Sequence, residues 1–320
     1  VIKKATRDGY GEALVELMDE YPNLVVLDAD LAAATKSGMF KKAHPERFFD
    51  CGIAEGNMMG VAAGLAAAGM LPFASSFAMF ATGRAYEQVR NSIGYPHLNV
   101  KIGGSHAGIS VGEDGATHQC CEDIALMRTI PGMTVVNPAD YYEMKAAVKA
   151  IAAYNGPVYV RLGRLAIETI NDESYQFELG KGVTLRDGKD ITIVATGLMV
   201  GESLKAAEQL AEAGIDARVI NIHTIKPIDA ELLRKAAAET GHIVTAEEHS
   251  IIGGLGDAVC EAIRENPVSV TKIGVNDRFG YSGPAVDLLK DFGLCADHVS
   301  RRQAVLGRQV LTTTPWLTER

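Results

Sequence analysis

Short apolar runs alternate with alanine-rich segments of helical periodicity along most of this chain. In the first half, the runs predicted as strands are residues 24–27, 72–75, 100–103, 134–136 and 158–162. The segments predicted as helices are residues 57–68, 84–93, 123–129 and 140–154. Because strands that alternate with helices form βα units, this pattern predicts an α/β fold with mostly parallel sheets.

The alternation breaks once and then resumes. Residues 168–189 are polar and rich in turn-forming residues, which is typical of a linker. Beyond them we predict strands at 191–195, 217–220 and 242–246, and helices at 201–213, 229–240 and 254–264. The sequence therefore predicts two doubly wound α/β domains, residues 1–167 and 190–310, joined by a linker at 168–189. Residues 312–320 show no interpretable pattern.

Composition and charge argue against several classes of function. The net charge of −9 at pH 7 repels phosphate backbones, so we expect neither a nucleic acid nor an anionic membrane as partner. No window holds the ~18 unbroken apolar residues of a membrane span, and the first residues lack the apolar core of a signal peptide. The five cysteines form no CxxC motif, and an odd number suits a reducing compartment. We therefore expect a cytoplasmic protein.

A glycine-rich stretch at residues 105–119 follows the predicted strand at 100–103. It reads SHAGISVGEDGATHQ and combines histidines, acids and glycines without any periodicity. In open α/β sheets the ligand crevice lies at the carboxyl ends of the strands, where this loop would begin. Such a loop is either a solvated turn with incidental titratable residues or, as we favour, part of a functional site.

Two further features stand upstream of that loop. Glu55 is the only charged residue between Asp50 and Arg84, and it enters a strongly apolar helix. A lone acid in that position either caps the helix N-terminus or acts as a catalytic acid. Phe77 and Phe80 follow a predicted strand, where they either pack into the core or form an aromatic wall for a flat heterocycle.

Taken together and in this order, these stretches resemble the transketolase family. The run GIAEGNMMGVAAGLAAAGMLPFASSFAMF resembles the segment that holds the family's cofactor-activating glutamate and aromatic pocket. The run GEDG-x-THQ at 112–119 resembles its substrate loop and is the most specific match. Residues 219–229 and 245–256 resemble its C-terminal domain, so the resemblance covers about residues 5 to 308.

The resemblance implies a thiamine diphosphate-dependent enzyme that transfers a two-carbon ketol unit between sugar phosphates. Glu55 would activate the cofactor through a hydrogen bond to its pyrimidine ring, and Phe77 and Phe80 would enclose that ring. Asp30 would face the cofactor from a neighbouring loop. The implied substrate residues are Asp114 and His118 for the sugar hydroxyls and carbonyl, with His118 as proton shuttle, and His106 and Arg161 for the acceptor's phosphate.

One part of the family pattern is missing. The diphosphate-binding half of a transketolase carries a GDG motif and a following asparagine, which hold Mg²⁺ and the diphosphate, and this chain has no GDG. Either the missing half is a separate subunit or this chain is a fragment. We expect the Mg²⁺ ligands on an N-terminal-half partner subunit, and an assembly with two copies of each chain.

The sequence also departs from the family at three places, one of them Ala107-Gly108 where many transketolases carry Asp-Ser, and it leaves alternatives. Gly83 stands where the pyrimidine pocket usually has a tyrosine, and residues 33–35 replace a Pro-Ser that contacts phosphate. The alternatives are an enzyme resembling deoxyxylulose-phosphate synthase, a subunit resembling the β chain of 2-oxo-acid dehydrogenases, and a non-catalytic regulatory paralogue. The GEDG-x-THQ run argues against the first two, and the retained Glu55, Asp114 and His118 argue against the third.

Overall fold

The computed structural model describes residues 2–301, so the predicted domain residues 302–310 and the tail at 312–320 lie outside the described part. Its strands are β1 Lys3–Lys4, β2 Leu24–Asp28, β3 Phe48–Asp50, β4 Leu71–Phe77, β5 Lys101–Ser105, β6 Thr134–Val136, β7 Val158–Arg161, β8 Ile167–Glu168, β9 Val183–Arg186, β10 Ile191–Ala195, β11 Ala217–Asn221, β12 Thr224–Lys226, β13 His242–Ser250 and β14 Ser269–Val275. Its α-helices are α1 Thr6–Leu17, α2 Ala32–Thr35, α3 Gly38–Ala43, α4 Glu55–Ala67, α5 Tyr86–Gln88, α6 Asp123–Arg128, α7 Tyr141–Ala153, α8 Met199–Glu212, α9 Ala230–Thr240, α10 Leu255–Ala262 and α11 Ala285–Asp291.

The strands form two large, mostly parallel sheets, which confirms the predicted fold class. The first sheet has seven strands in the order β12-β6-β7-β5-β4-β2-β3. Its strands run parallel except β12, which pairs antiparallel with β6 at one edge. The second sheet has the order β14-β13-β10-β11-β9, with only β9 antiparallel. A short antiparallel pair joins β1 to β8.

All four edge strands of the two large sheets lie outside the predicted pattern: the parallel edge strands β3 and β14, and the antiparallel ones β9 and β12. The strand β9 falls within the polar stretch 168–189 and adds to the edge of the second sheet beside β11. The strand β12 comes from the second half of the chain but closes the edge of the first sheet. The two halves of the chain are therefore joined by backbone pairing as well as by side-chain packing.

Local signals fix the start of two helices. The Asp140 carboxylate accepts a hydrogen bond from Glu143 N at 2.9 Å, which confirms the predicted start of α7. Asp229 caps α9 in the same way through Leu232 N at 3.1 Å. The helix predicted at 84–93 is different, because π-helical turns at Met79–Arg84 and Val89–Gly94 flank the short α5. Such turns take up extra residues and are frequent at functional sites.

The hydrophobic core runs through both sheets. One cluster of buried side chains includes Val25 and Ile102 from the first sheet together with Val194 and Ile243 from the second. Because apolar area removed from water is the main stabilising contribution, this shared cluster holds the two sheets against each other. Within residues 2–301, no helix combines the length and the apolar composition that crossing a membrane would require.

Candidate active site

The carboxyl ends of the parallel strands in the first sheet bring the predicted site residues to one edge. Asp30 follows β2, Phe77 ends β4, His106 follows β5 and Glu55 begins α4 just after β3. This edge is where open α/β sheets bind their ligands. Because β3, β2, β4 and β5 are parallel neighbours, motifs that are separate along the chain meet at one edge of the sheet.

Four rings form a cluster in this crevice. Phe77 and Phe80 stack with centroids 6.1 Å apart and planes 13° apart. The His106 ring stacks on Phe77 at 3.9 Å, and His118 presents its edge to Phe80 at 5.3 Å. Stacked and edge-to-face contacts of this kind hold the rings in fixed orientations. The two phenylalanines are therefore part of the crevice and not only of the core.

Glu55 lies at the base of the crevice with its side chain only 1% exposed. The helix α4 begins at Glu55, and the N-cap position belongs to Ala54, so the carboxylate does not act as the N-cap. Its partner is Arg84, whose Nη1 lies 3.2 Å from Glu55 Oε2. The Arg84 guanidinium also lies over the Phe80 ring, 5.0 Å from its centroid. Arg84 was not among the predicted site residues.

Met79 lies beside Gly83, the position where the pyrimidine pocket of the family usually has a tyrosine. A Cβ atom at Gly83 would overlap the Met79 methyl group, which occupies the space next to that backbone. Met79 also packs against the small buried cluster of Ala78, Ala107 and Cys120. A flexible thioether therefore stands where an aromatic ring was expected from the family pattern.

His106 is held as a neutral ring. Its Nε2 accepts a hydrogen bond from Arg7 Nη1 at 3.3 Å, so we assign the ring proton to Nδ1, which lies 2.9 Å from Ser105 Oγ. Burial lowers the pKa of His106 to about 3, with a further contribution from the charges of Arg7 and Arg164. The predicted contact of His106 with a phosphate would therefore be a neutral hydrogen bond.

The position of Arg161 does not fit its predicted contact with the acceptor's phosphate, and we correct that assignment. Its side chain is 4% exposed and forms a bidentate pair with the fully buried Asp123, at 2.7 and 3.1 Å. Its Nη2 also donates to the carbonyl oxygens of Cys120 and Glu248. Although burial opposes ionisation of Asp123, the Arg161 guanidinium holds the pKa of that carboxyl below its ordinary value. Arg161 is thus a structural counter-ion.

Two other arginines face the crevice and were missed from sequence. Arg164 lies just beyond the end of β7, is 38% exposed, and bonds the Val111 carbonyl and Glu113 Oε2. Arg7, on α1, donates to the Ala34 carbonyl at 3.0 Å as well as to His106. For Arg164, its position past the carboxyl end of a parallel strand could have identified it. For Arg7 the sequence offers no comparable signal.

The remaining predicted residues occupy the crevice rim. Asp30 is exposed, with a left-handed φ of 62°, and its N–H donates to the Asp50 carboxylate. Asp114 is exposed in the loop at 105–119, and His118 Nδ1 lies 2.9 Å from Thr117 Oγ1. Among residues 2–301 no group of three His, Cys, Asp or Glu side chains is arranged to hold a metal ion.

Two family models match this chain. The pyrimidine-binding domain of transketolase matches residues 2–169, and the C-terminal domain of transketolase matches residues 180–299. The chain belongs to the transketolase family. The resemblance stated from the motifs is confirmed.

The relatives place the chain among the split members of this family. It is 54% identical to the putative transketolase C-terminal section of Methanocaldococcus jannaschii, over 94% of this chain and 96% of that protein. It is 48% identical to the 6-deoxy-6-sulfo-D-fructose transketolase subunit SqwH of Clostridium sp., over 92% of each. A solved structure of a split gene transketolase in an inactive beta4 tetramer superimposes with a TM-score of 0.89 at 53% identity, covering 97% of this chain and 99% of that one.

Undivided transketolases are about twice as long as the region matched. The human enzyme is 38% identical over 95% of this chain, but the match covers 49% of the human protein. The Leishmania mexicana transketolase structure gives a TM-score of 0.81 at 27% identity and is covered over 47% of its chain. The split transketolase subunits therefore match this chain end to end, and the undivided enzymes match it over half their length.

Replacing Arg161 with methionine should lower the free energy of unfolding by roughly 3–5 kcal/mol, because Asp123 would remain buried without its counter-charge. The Arg164→Met variant is the matched control. Its pair with Glu113 is exposed, so the change should stay within about 1 kcal/mol. Urea unfolding followed by circular dichroism measures both variants. Equal stability of the two would contradict the assignment of Arg161 as the structural arginine.

Proposed function

We propose that this chain is one subunit of a two-chain, thiamine diphosphate-dependent transketolase that transfers a two-carbon ketol unit between sugar phosphates. The observation that carries the proposal is the buried Glu55 carboxylate, which Arg84 links to the stacked pair of Phe77 and Phe80. A buried acid needs a bonded partner, and stacked aromatic rings suit a flat ligand, so together they fit a basic, flat heterocycle.

The crevice fits the pyrimidine end of thiamine diphosphate. Glu55 offers a buried carboxyl group that can share a proton with a ring nitrogen, Phe77 and Phe80 offer apolar faces, and Asp30 lies at the rim. When bound, the cofactor supplies the carbon nucleophile and the electron sink for the two-carbon unit. The role of Glu55 is to hold a proton in hydrogen-bonding contact with the pyrimidine ring, and the surrounding rings exclude water from that contact.

We assign the anionic end of the substrate to Arg7 and Arg164 in place of Arg161. Arg7 donates to His106, and Arg164 bonds Val111 and Glu113 in the loop that follows His106. The names of two relatives support this assignment: one acts on 6-deoxy-6-sulfo-D-fructose and the other is an apulose-4-phosphate transketolase subunit. Sulfonates and phosphates are the groups that arginine binds through paired, charge-assisted hydrogen bonds.

The sugar end of the substrate would meet the loop at 105–119. His118 is tethered to Thr117 Oγ1 through Nδ1, which leaves Nε2 to exchange a proton with a substrate hydroxyl or carbonyl. Asp114 would accept hydrogen bonds from sugar hydroxyls, and the neutral His106 would donate or accept one. These roles stay proposals and rest on the position of the loop beside the aromatic cluster.

The proposal includes a partner chain. Mg²⁺ and the diphosphate would be held by an N-terminal-half subunit, and the active assembly would contain two copies of each chain. Support comes from the end-to-end match to split subunits, and from the inactive beta4 assembly described for one of them. We also propose the division into residues 1–167, 168–189 and 190–310, and a cytoplasmic location, which the five free cysteines support.

Replacing Glu55 with glutamine should slow deuterium exchange at the thiazolium carbon of the cofactor by at least ~100-fold, a typical acid–base contribution. The measurement uses the complex reconstituted with the partner chain. Glu87→Gln is the control, since Glu87 is a nearby exposed acid bonded to Gln88 and Asn91. Exchange in the Glu55→Gln variant at the rate of the unsubstituted complex would contradict the proposed role of Glu55.

Replacing Arg164 with glutamine should raise the KM for phosphorylated acceptors roughly ten- to a hundred-fold, because a charge-assisted bond is worth about 1.5–3 kcal/mol. Acceptors without phosphate should be affected far less. Arg90→Gln, which changes an exposed arginine bonded to Asn91, is the control. An equal rise for both acceptor types would mean that Arg164 does not contact the phosphate.

Alone, this chain should be folded but should bind thiamine diphosphate only weakly, since the ligands for Mg²⁺ and the diphosphate are assigned to the partner. Calorimetric titration with cofactor and Mg²⁺ compares the isolated chain with an equimolar mixture of the two chains. Tight binding and ketol transfer should need the mixture. Micromolar or tighter binding together with turnover by the isolated chain would refute the two-chain proposal.

A further inference from the structure

The loop at 105–119 is held by its own hydrogen bonds, such as Gly115 N to the Gly112 carbonyl, and by contacts from outside the loop. His106 has a φ of 57°, and Gly108, Gly112 and Gly115 have φ values of 83°, 84° and 74°. Left-handed backbone at four positions in so short a stretch gives a flexible chain many alternatives. Contacts from outside the loop therefore help to select the observed conformation.

One such contact comes from the second sheet. Glu248, on β13, is buried, and its Oε1 accepts a hydrogen bond from Ser110 N at 2.6 Å. The backbone of Gly108 lies directly against the same carboxylate, since a Cβ atom at that glycine would overlap it. Gly108 and Ser110 in the first part of the loop thus both contact one carboxylate, that of Glu248, which belongs to the C-terminal half of the chain.

The backbone of Glu248 is fixed as well. Its carbonyl oxygen accepts a hydrogen bond from Arg161 Nη2 at 2.9 Å, and Arg161 is held by Asp123. The position of the Glu248 backbone, from which the side chain projects, is therefore set in part by the buried ion pair at the end of β7. A second tie lies at the far end of the loop, where Gln119 Nε2 donates to the Tyr281 carbonyl at 3.0 Å.

We propose that Glu248 is a positioning residue, through which the second sheet holds the loop at 105–119 in the conformation that presents His106, Asp114 and His118 to the substrate. The consequence for catalysis rests on the function proposed above. The structural part, that the loop depends on Glu248, stands independently of that function. By this proposal, the C-terminal half of the chain contributes directly to the shape of the active site.

Hydrogen–deuterium exchange of the full-length chain tests the structural part without any activity measurement. In Glu248→Ala, exchange of the Ser110 amide and its neighbours should accelerate at least ~10-fold, as expected from loss of a charge-assisted hydrogen bond. Glu248→Gln keeps the size of the side chain and one acceptor oxygen, so it should give a smaller increase. This second variant also carries the test if the alanine variant does not fold.

Glu247→Gln is the matched control. Glu247 is the adjacent buried residue on β13, but its carboxylate accepts from Leu255 N and Gly256 N at the start of α10. This variant should speed exchange in the first turn of α10 and leave the loop unchanged. Unchanged loop exchange in both Glu248 variants, or an equal increase in Glu247→Gln, would overturn the proposal.

The catalytic part is tested in the reconstituted two-chain enzyme. Both Glu248 variants should raise the KM for donor and acceptor sugars, about 10-fold for alanine, while the affinity for the cofactor should change less. Glu55 and Phe80 lie outside the loop, and Phe80 contacts it through the ring of His118, which is why the effect on the cofactor should be the smaller one. Faster loop exchange with unaltered KM would refute the positioning role. A wild-type complex without transketolase activity would refute the proposed function and leave the exchange result standing.

Discussion

The buried ion pair between Arg161 and Asp123 is the interaction on which the rest of this structure depends. It lies where the end of β7, the start of α6 and the strand β13 meet, and Tyr159 adds a hydrogen bond to Asp123 at 2.6 Å. Two charges can be buried only when their remaining donors and acceptors are also bonded. Meeting that condition requires the Cys120 and Glu248 carbonyls, so the pair fixes the second sheet relative to the carboxyl edge of the first.

This constraint also explains why the sequence misassigned the phosphate contact. Arg161 and Arg164 are three residues apart, and both follow the pattern of a strand that ends in a ligand-binding loop. Which one turns inward is decided by Asp123, 38 residues away along the chain. For the same reason, the sequence does not reveal that Arg84 pairs with Glu55. Nor does it reveal that Glu248 accepts a hydrogen bond from the Ser110 amide. Pairs of this kind are set by tertiary packing, which no local pattern encodes.

What the sequence does predict is governed by local chemistry. The buried parallel strands are near-continuous apolar runs, so β6 and β10 were located to the residue and others to within a few positions. The glycine-rich loop and the lone Glu55 were found because each breaks an otherwise regular pattern. The edge strands β3, β9, β12 and β14 were not found, since a strand with one free edge needs no apolar alternation and is defined mainly by its neighbour.

The charges of the crevice indicate how a ligand would enter it. Arg164 is paired with Glu113 near the surface, where solvent screens the attraction, so an anionic ligand could replace that partner at little cost. Glu55 is different, because a buried carboxylate that loses Arg84 must gain another partner. Arg84 is 58% exposed and keeps access to water when it moves. A ligand that binds at Glu55 would therefore replace the Arg84 donor with a donor of its own. A ligand that brings only an aromatic ring, without a donor, would be disfavoured.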